Sequence, residues 1–119
     1  MIRLDSTTRK LQAVISSAVT TTSPSTVVCF YDQNKEGAET KGAVQLSSVS
    51  TVDVDICAAP QQGFVRCIDN IQIYNSDTAN MIVSVKIDDS GVDTLLMKQT
   101  LSPSQTLFFE AQGGWLKLG

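Results

Sequence analysis

Histidine is absent from this sequence of 119 residues, and its absence removes the commonest routes to catalysis. Without an imidazole the chain has no Ser-His or Cys-His nucleophile pair and no histidine ligand for a metal ion. It also lacks a P-loop, a GxGxxG turn and a GxSxG nucleophile motif. We therefore expect a protein that is not an enzyme and that carries no cofactor.

Carboxylate pairs are the acid–base chemistry that survives the lack of histidine. Asp53 and Asp55 share one face of a predicted strand, while Asp88 and Asp89 lead into a predicted hairpin turn. Aspartate is favoured in turns for backbone reasons alone. Solvation or a subunit contact is the favoured role of Asp53 and Asp55, because no glycine-rich loop accompanies them.

Cysteine is scarce. Cys29, Cys57 and Cys67 are odd in number, and none belongs to a CxxC motif. Each lies in an apolar, strand-like run, so we predict reduced thiols that act as small core residues. A structural zinc site needs about four ligands, so we expect no metal site.

A partial calcium motif occurs in one polar stretch. Asp32, Asn34, Glu36 and Gly37 follow the first half of an EF-hand loop, but Ala43 stands where the loop needs a bidentate glutamate. No flanking helices are predicted there. The sequence favours an exposed, mobile loop over a calcium site.

Concentrated positive charge and long apolar runs are missing too. The chain has 9 Lys and Arg against 12 Asp and Glu, a net charge of −3, and its basic residues are scattered. Direct nucleic-acid binding depends on clustered basic residues, so we do not expect it. No stretch approaches the ~20 apolar residues that span a bilayer, and residues 1–5 do not resemble a signal peptide. We expect a soluble protein without a membrane partner.

What the sequence does contain is a run of short strands separated by turns, clearest between Phe64 and Leu118. Apolar and polar residues alternate there with the period of a half-buried strand. Turn residues such as Asp89-Ser90-Gly91 and Ser102-Pro103-Ser104 separate the segments. We predict an all-β fold, a β-sandwich of jelly-roll or Greek-key type with about eight strands, over residues 23–119.

The segment 1–22 shows a different spacing and is predicted to form one short N-terminal helix or arm. Leu11, Val14, Ile15, Ala18 and Val19 fall at i, i+3, i+4, i+7 and i+8, which is a single helical stripe. The favoured role of this stripe is to cover one edge or open end of the β-domain. The alternative is that it docks onto another subunit.

Some apolar residues lie outside the alternation of their strands. Leu96 and Phe108 each point away from the face that their neighbours would bury, so they need a covering partner. The N-terminal segment, a second sheet or another subunit could provide it. The candidate interface residues are therefore Leu11, Val14, Ile15, Ala18, Leu96 and Phe108.

The order of several short segments carries a family resemblance. These segments are Asp5–Val14, Thr20–Thr22, Ala58–Pro60, Ile71–Ala79, Val83–Gly91 and Leu101–Leu107. Together they resemble small virion structural proteins of tailed bacteriophages, with a D-S-x-T-x-K-L-like start and an I-Y-N-x-D-T-A segment. The resemblance covers most of the chain but is weak between Gln33 and Ser50, and it transfers no functional residue.

The resemblance implies a structural part of a virion that is present in many copies. The first expectation is a capsid cement or decoration protein, a dimer or trimer on the capsid surface that binds the major capsid protein after assembly in the host cytoplasm. A neck or tail adaptor or a fibre-attachment protein is the alternative within the structural class. A carbohydrate- or receptor-binding β-sandwich is the alternative from another class, and exposed aromatics such as Tyr74 or Trp115 would serve it.

Overall fold

The computed structural model describes residues 2–119, and this part of the chain folds into ten β-strands without a helix. The strands are β1 (Ile2–Leu4), β2 (Arg9–Ile15), β3 (Ser25–Asn34), β4 (Glu39–Leu46), β5 (Val54–Cys57), β6 (Phe64–Tyr74), β7 (Met81–Asp89), β8 (Val92–Leu101), β9 (Thr106–Glu110) and β10 (Gly114–Leu118). The all-β prediction is confirmed.

The strands form two antiparallel sheets. The six-stranded sheet has the order β10-β9-β6-β3-β4, and β1 pairs with the part of β6 that β9 does not reach. The four-stranded sheet has the order β5-β2-β7-β8. Consecutive strands pair as hairpins in β3–β4, β7–β8 and β9–β10, while the other connections between the described strands all cross from one sheet to the other.

Both sheets contribute to one hydrophobic core. Buried side chains of the four-stranded sheet, such as Leu11 and Val85, belong to the same cluster as Val28, Ile71 and Leu107 of the six-stranded sheet. Along β7 the side chains alternate strictly between buried and half-buried, which is the pattern expected when one face of a sheet meets a core. The two sheets therefore enclose a common interior.

The predicted N-terminal helix is wrong, because residues 9–15 form β2 in the middle of the four-stranded sheet. Leu11, Ala13 and Ile15 are all buried, so the operative period is two residues. Leu11 and Ile15 are four positions apart and therefore fit both a helix and a strand. The small Ala13 concealed the alternation, and the antiparallel register of Ala13 with Val85 on β7 fixes the strand.

The expected mobile loop between Asp32 and Gly42 is also wrong. β3 continues to Asn34 and β4 begins at Glu39, so only a tight turn separates them. The Asn34 side chain accepts a hydrogen bond from the Ala38 amide at 2.9 Å, and Gly37 adopts a φ of 84°. This turn chemistry allows a polar stretch without core residues to remain a regular hairpin.

Two of the hairpins predicted after Phe64 are confirmed, β7–β8 and β9–β10, whereas the β6–β7 and β8–β9 connections cross between the sheets. The Asp89–Gly91 turn joins β7 to β8, with φ values of 53° at Ser90 and 90° at Gly91. Leu96 lies at a register shift between β7 and β8, which explains why it follows Leu95 out of phase. Leu96 is half-buried and packs against the core.

Candidate interaction face

The six residues predicted for an interface do not lie together. Leu11 and Ile15 are inside the core. Val14 is half-buried on the outer face of the four-stranded sheet, and Ala18 is exposed after the end of β2. Leu96 packs on the core at the register shift. Phe108 is half-buried on the outer face of the six-stranded sheet, where it pairs with Leu116.

A hydrogen-bonded cluster around Asp77 fixes one end of the molecule. The Asp77 carboxylate accepts bonds from the backbone amides of Thr20 and Thr21, both at 2.8 Å, and from the Thr21 hydroxyl at 2.9 Å. The Thr78 amide also donates to it, at 2.9 Å. The hydrogen bond from the Thr20 amide, together with those from Thr21 and Thr78, holds the pKa of Asp77 well below its usual range. Burial acts in the opposite direction but is outweighed by these bonds. The cluster ties the β2–β3 connection to the β6–β7 connection.

Asn75 extends this cluster to a third segment. Its amide nitrogen donates to the carbonyl oxygens of Ala79 and Leu101, at 3.0 and 2.9 Å, and its amide oxygen accepts from the Asp77 backbone at 2.9 Å. The Asn75 side chain is fully buried, and its polar atoms are all bonded. Three of the segments on which the predicted resemblance rests therefore meet here, namely Thr20–Thr22, Ile71–Ala79 and Leu101–Leu107. The residues that form these hydrogen bonds have a structural role.

Arg66 organises the opposite part of the six-stranded sheet. Its guanidinium forms a bidentate pair with Asp32, at 2.8 and 2.9 Å, and donates to the carbonyl oxygen of Ala58 at 2.9 Å. Its charged carbon lies 4.0 Å from the centre of the Phe30 ring. The hydrogen bonds to Asp32 raise the pKa of Arg66. The Asp32 carboxylate is paired with Arg66, and the Asn34 side-chain oxygen accepts a hydrogen bond in the turn, so two residues of the partial calcium motif have structural roles.

The cysteines are free thiols. Cys57 belongs to the core, and burial raises the pKa of its thiol. Cys67 instead lies on the outer face of the six-stranded sheet, where it is buried beside its register partner Tyr31. A hydrogen bond with Cys67 raises the pKa of Tyr31.

The outer face of the four-stranded sheet is covered by ion pairs. Lys86 lies 2.8 Å from carboxylate oxygens of both Asp53 and Asp93, and Lys10 lies 3.3 Å from Asp55. The hydrogen bonds with Asp53 and Asp93 raise the pKa of Lys86. Gln12 adds a hydrogen bond to Asp55 at 2.8 Å. The Asp53 and Asp55 carboxylates are therefore paired within the chain, and charged groups dominate this face.

The outer face of the six-stranded sheet is different, because two adjacent rows of side chains carry no charge. One row runs from Leu118 through Thr106 and Tyr74 to Ser25, and the next runs from Leu116 through Phe108, Gln72 and Val27 to Gln45. We call these nine residues the uncharged face. A second molecule that covered these rows would remove fewer charged groups from water than one that covered the outer face of the four-stranded sheet.

One part of the uncharged face is apolar. Leu116 and Leu118 on the edge strand β10 are 54% and 45% exposed, and Phe108 lies beside Leu116. We call these three side chains the docking patch. Phe109, the neighbour of Phe108, points into the core and contacts Trp115, with a distance of 4.9 Å between the ring centres. The sequence signalled Phe108 but not the leucines, whose alternation looked like an ordinary closing strand.

Comparison with protein-family models, with curated proteins and with solved structures finds no match. Within residues 2–119 no helix is long and apolar enough to cross a membrane. The same residues contain no cluster of three or more carboxylates and thiols that could hold a metal ion. The uncharged face is thus the surface feature with the clearest chemistry.

Proposed function

We propose that this chain is a bacteriophage virion structural protein, a capsid cement protein that binds the major capsid protein through the docking patch. The contrast between the two outer faces carries this proposal. One sheet presents ion pairs around Lys86 to water, with Leu95 exposed among them. The other presents Phe108, Leu116 and Leu118 in two rows without a charged side chain, and its nearest charge, Glu110, lies in the next row. Depletion of charge together with exposed apolar and aromatic groups is typical of the centre of protein interfaces.

The size of the uncharged face supports attachment in many copies. Stable pairwise interfaces use about 20–30 residues on each side, and the uncharged face has nine. One such contact would be weak by itself. A dimer or trimer that places several docking patches on a repeating shell gains affinity by multivalency, so a homo-oligomer on the capsid surface belongs to the proposal.

The scaffold is compatible with the family resemblance. Thr20–Thr22, the Asn75–Asp77 part of the I-Y-N-x-D-T-A segment and Leu101 all meet in the Asp77 cluster. Residues that hold connections together are expected to persist among proteins that share a scaffold. Because the two sheets enclose one core and several connections cross between them, we include in the proposal that they form a β-sandwich of Greek-key type.

The test is binding to shells of the major capsid protein from the phage that encodes this chain. We expect the wild-type protein to co-sediment with the shells and Leu116→Glu to lose at least about tenfold in affinity, because it places a charge in an apolar contact. Val92→Glu is the matched control, since Val92 is 70% exposed on β8 of the other sheet. Equal binding of both variants would exclude the docking patch.

Copy number in the virion separates the structural alternatives. A cement protein should be present in hundreds of copies, whereas a neck or tail adaptor or a fibre-attachment protein should be present in about a dozen or fewer. Quantitative mass spectrometry of purified particles measures this number. A low copy number would overturn the cement assignment and leave the adaptor.

A further inference from the structure

A groove of ≈ 380 Å³ opens at the open end of the β3–β4 hairpin and shares Ser25, Val27 and Gln45 with the uncharged face. Its lining residues are Ser25, Thr26, Val27, Gln45, Leu46 and Ser47. None of these side chains is charged. Its volume falls within the range of small-molecule sites, which span about 300–1,000 Å³.

An aromatic ring lies next to one of the residues that line this groove. Ser25, which lines the groove, is the register partner of Tyr74 on β6, so the two side chains are cross-strand neighbours on the same face. Tyr74 is 39% exposed. The other aromatic side chains of the chain are half-buried or buried, including Trp115, which packs on Phe109.

We propose that the groove binds a neutral carbohydrate, with Tyr74 packing against the apolar face of a sugar ring. A sugar presents C–H groups on the faces of its ring and hydroxyls around its edge. The hydroxyls need neutral partners that both donate and accept hydrogen bonds, and the Gln45 amide with the Ser25 and Ser47 hydroxyls supplies them. Tyrosine suits the remaining contact because its ring offers rigid apolar area with few rotatable bonds.

Charge separates this groove from a second groove of similar volume. A second groove of ≈ 370 Å³ includes Arg3, Asp5 and Lys35 in its lining. A charged ligand would favour that site, because it could pair with the charged side chains there. An uncharged polyol gives up no ion pair when it binds a groove without charged side chains. The second groove therefore serves as an internal control for nonspecific binding.

The experiment is a ¹H–¹⁵N NMR titration of the full chain with glucose, galactose, mannose and N-acetylglucosamine. We expect at least one sugar to shift the amide signals of Ser25, Val27, Gln45 and Ser47 in a saturable manner, with a dissociation constant of about 1–10 mM for a single ring. Tyr74→Ala should weaken that binding about tenfold, and Tyr74→Phe should keep it because the ring remains. Gln45→Ala gives a second reading if Tyr74→Ala does not fold.

The outcomes are distinguishable from those of the docking proposal. Leu116→Glu should leave sugar binding unchanged, because Leu116 lies on β10 and does not line the groove. The carbohydrate site is overturned if none of the four sugars shifts the groove signals, if the shifts cluster around Arg3 and Lys35, or if Tyr74→Ala and Gln45→Ala bind as the wild type does.

Discussion

Asp77 and Thr21 are 56 positions apart in the sequence, yet a single carboxylate oxygen of Asp77 accepts both the backbone amide and the hydroxyl of Thr21, at 2.8 and 2.9 Å. Thr20 and Thr22 donate their amides to the same side chain, at 2.8 and 3.4 Å. The connection between β2 and β3 has no regular secondary structure of its own, so Asp77 supplies the acceptors that a strand neighbour would otherwise provide.

Asp77→Asn should therefore lower the melting temperature by several degrees. An amide offers one acceptor oxygen where the carboxylate offers two, and its NH₂ group would face amides that also donate. Thermal unfolding followed by circular dichroism measures the change. Ser76→Ala is the matched control, because it removes one hydrogen bond to the Ser23 carbonyl in the same connection and should cost less. A loss no larger than that of the control would contradict the role of Asp77.

The stability of the wild type should fall in acid more steeply than that of Asp77→Asn. The pKa of Asp77 is lower in the folded chain than in the unfolded chain, so the unfolded chain binds more protons as the pH falls. The contribution of Asp77 is therefore fully present above the ordinary carboxyl range and is lost progressively below about pH 4. Urea unfolding midpoints between pH 3 and pH 7 test this, and parallel curves for the two proteins would refute it.

Arg66 and Asp32 should be energetically coupled. Both side chains are largely shielded from water, with 14% and 20% exposure, and the pair is bidentate. A double-mutant cycle with Arg66→Ala and Asp32→Ala should give a coupling energy of about 1 kcal/mol. The more exposed pair of Arg9 and Asp5, 3.7 Å apart and not bidentate, provides a control cycle in which we expect almost no coupling. Equal coupling in the two cycles would show that the bidentate geometry adds nothing.

Gly42→Ala should destabilise the fold because the backbone of β4 passes close to the Phe30 ring. A Cβ atom at this position would lie 2.7 Å from the ring, and the ring cannot move freely because Arg66 stacks on it. We expect a loss of about 1–3 kcal/mol in the free energy of unfolding. Gly113→Ala, whose added Cβ would meet Glu110 at an ordinary 3.6 Å, should be tolerated. If Phe30→Leu does not relieve the cost of Gly42→Ala, the ring is not its cause.

Thr26→Val should stabilise the protein by about 1 kcal/mol. Thr26 is 1% exposed, and its hydroxyl oxygen is buried without a hydrogen-bond partner. Valine has nearly the same shape and removes the cost of burying that group. Thr100→Val on exposed β8 should change the free energy of unfolding by less than about 0.5 kcal/mol. A destabilised Thr26→Val would mean that the hydroxyl is satisfied in solution.

The sequence was informative where one physical signal dominated. Alternation together with good turn residues predicted β6 to β10, because period and turn chemistry agreed. In β2 the spacing of Leu11 and Ile15 was compatible with two periods, and only pairing with β7 selects the strand. The uncharged face could not be predicted, because it requires knowing that β9 and β10 lie beside β6 and β3. Such a surface depends on contacts between strands that are distant in sequence.

The pairing of β1 with β6 has a consequence for how the chain folds. Ile2 aligns with Ile68, so the first strand has no partner in its sheet until more than half of the chain is available. Until β1 pairs with β6, the side chain of Leu4, which is fully buried in the folded protein, remains in water or in transient contacts. Closing so long a loop is entropically costly and slow. We therefore expect β1 to dock late, after the β3–β4 and β7–β8 hairpins have formed.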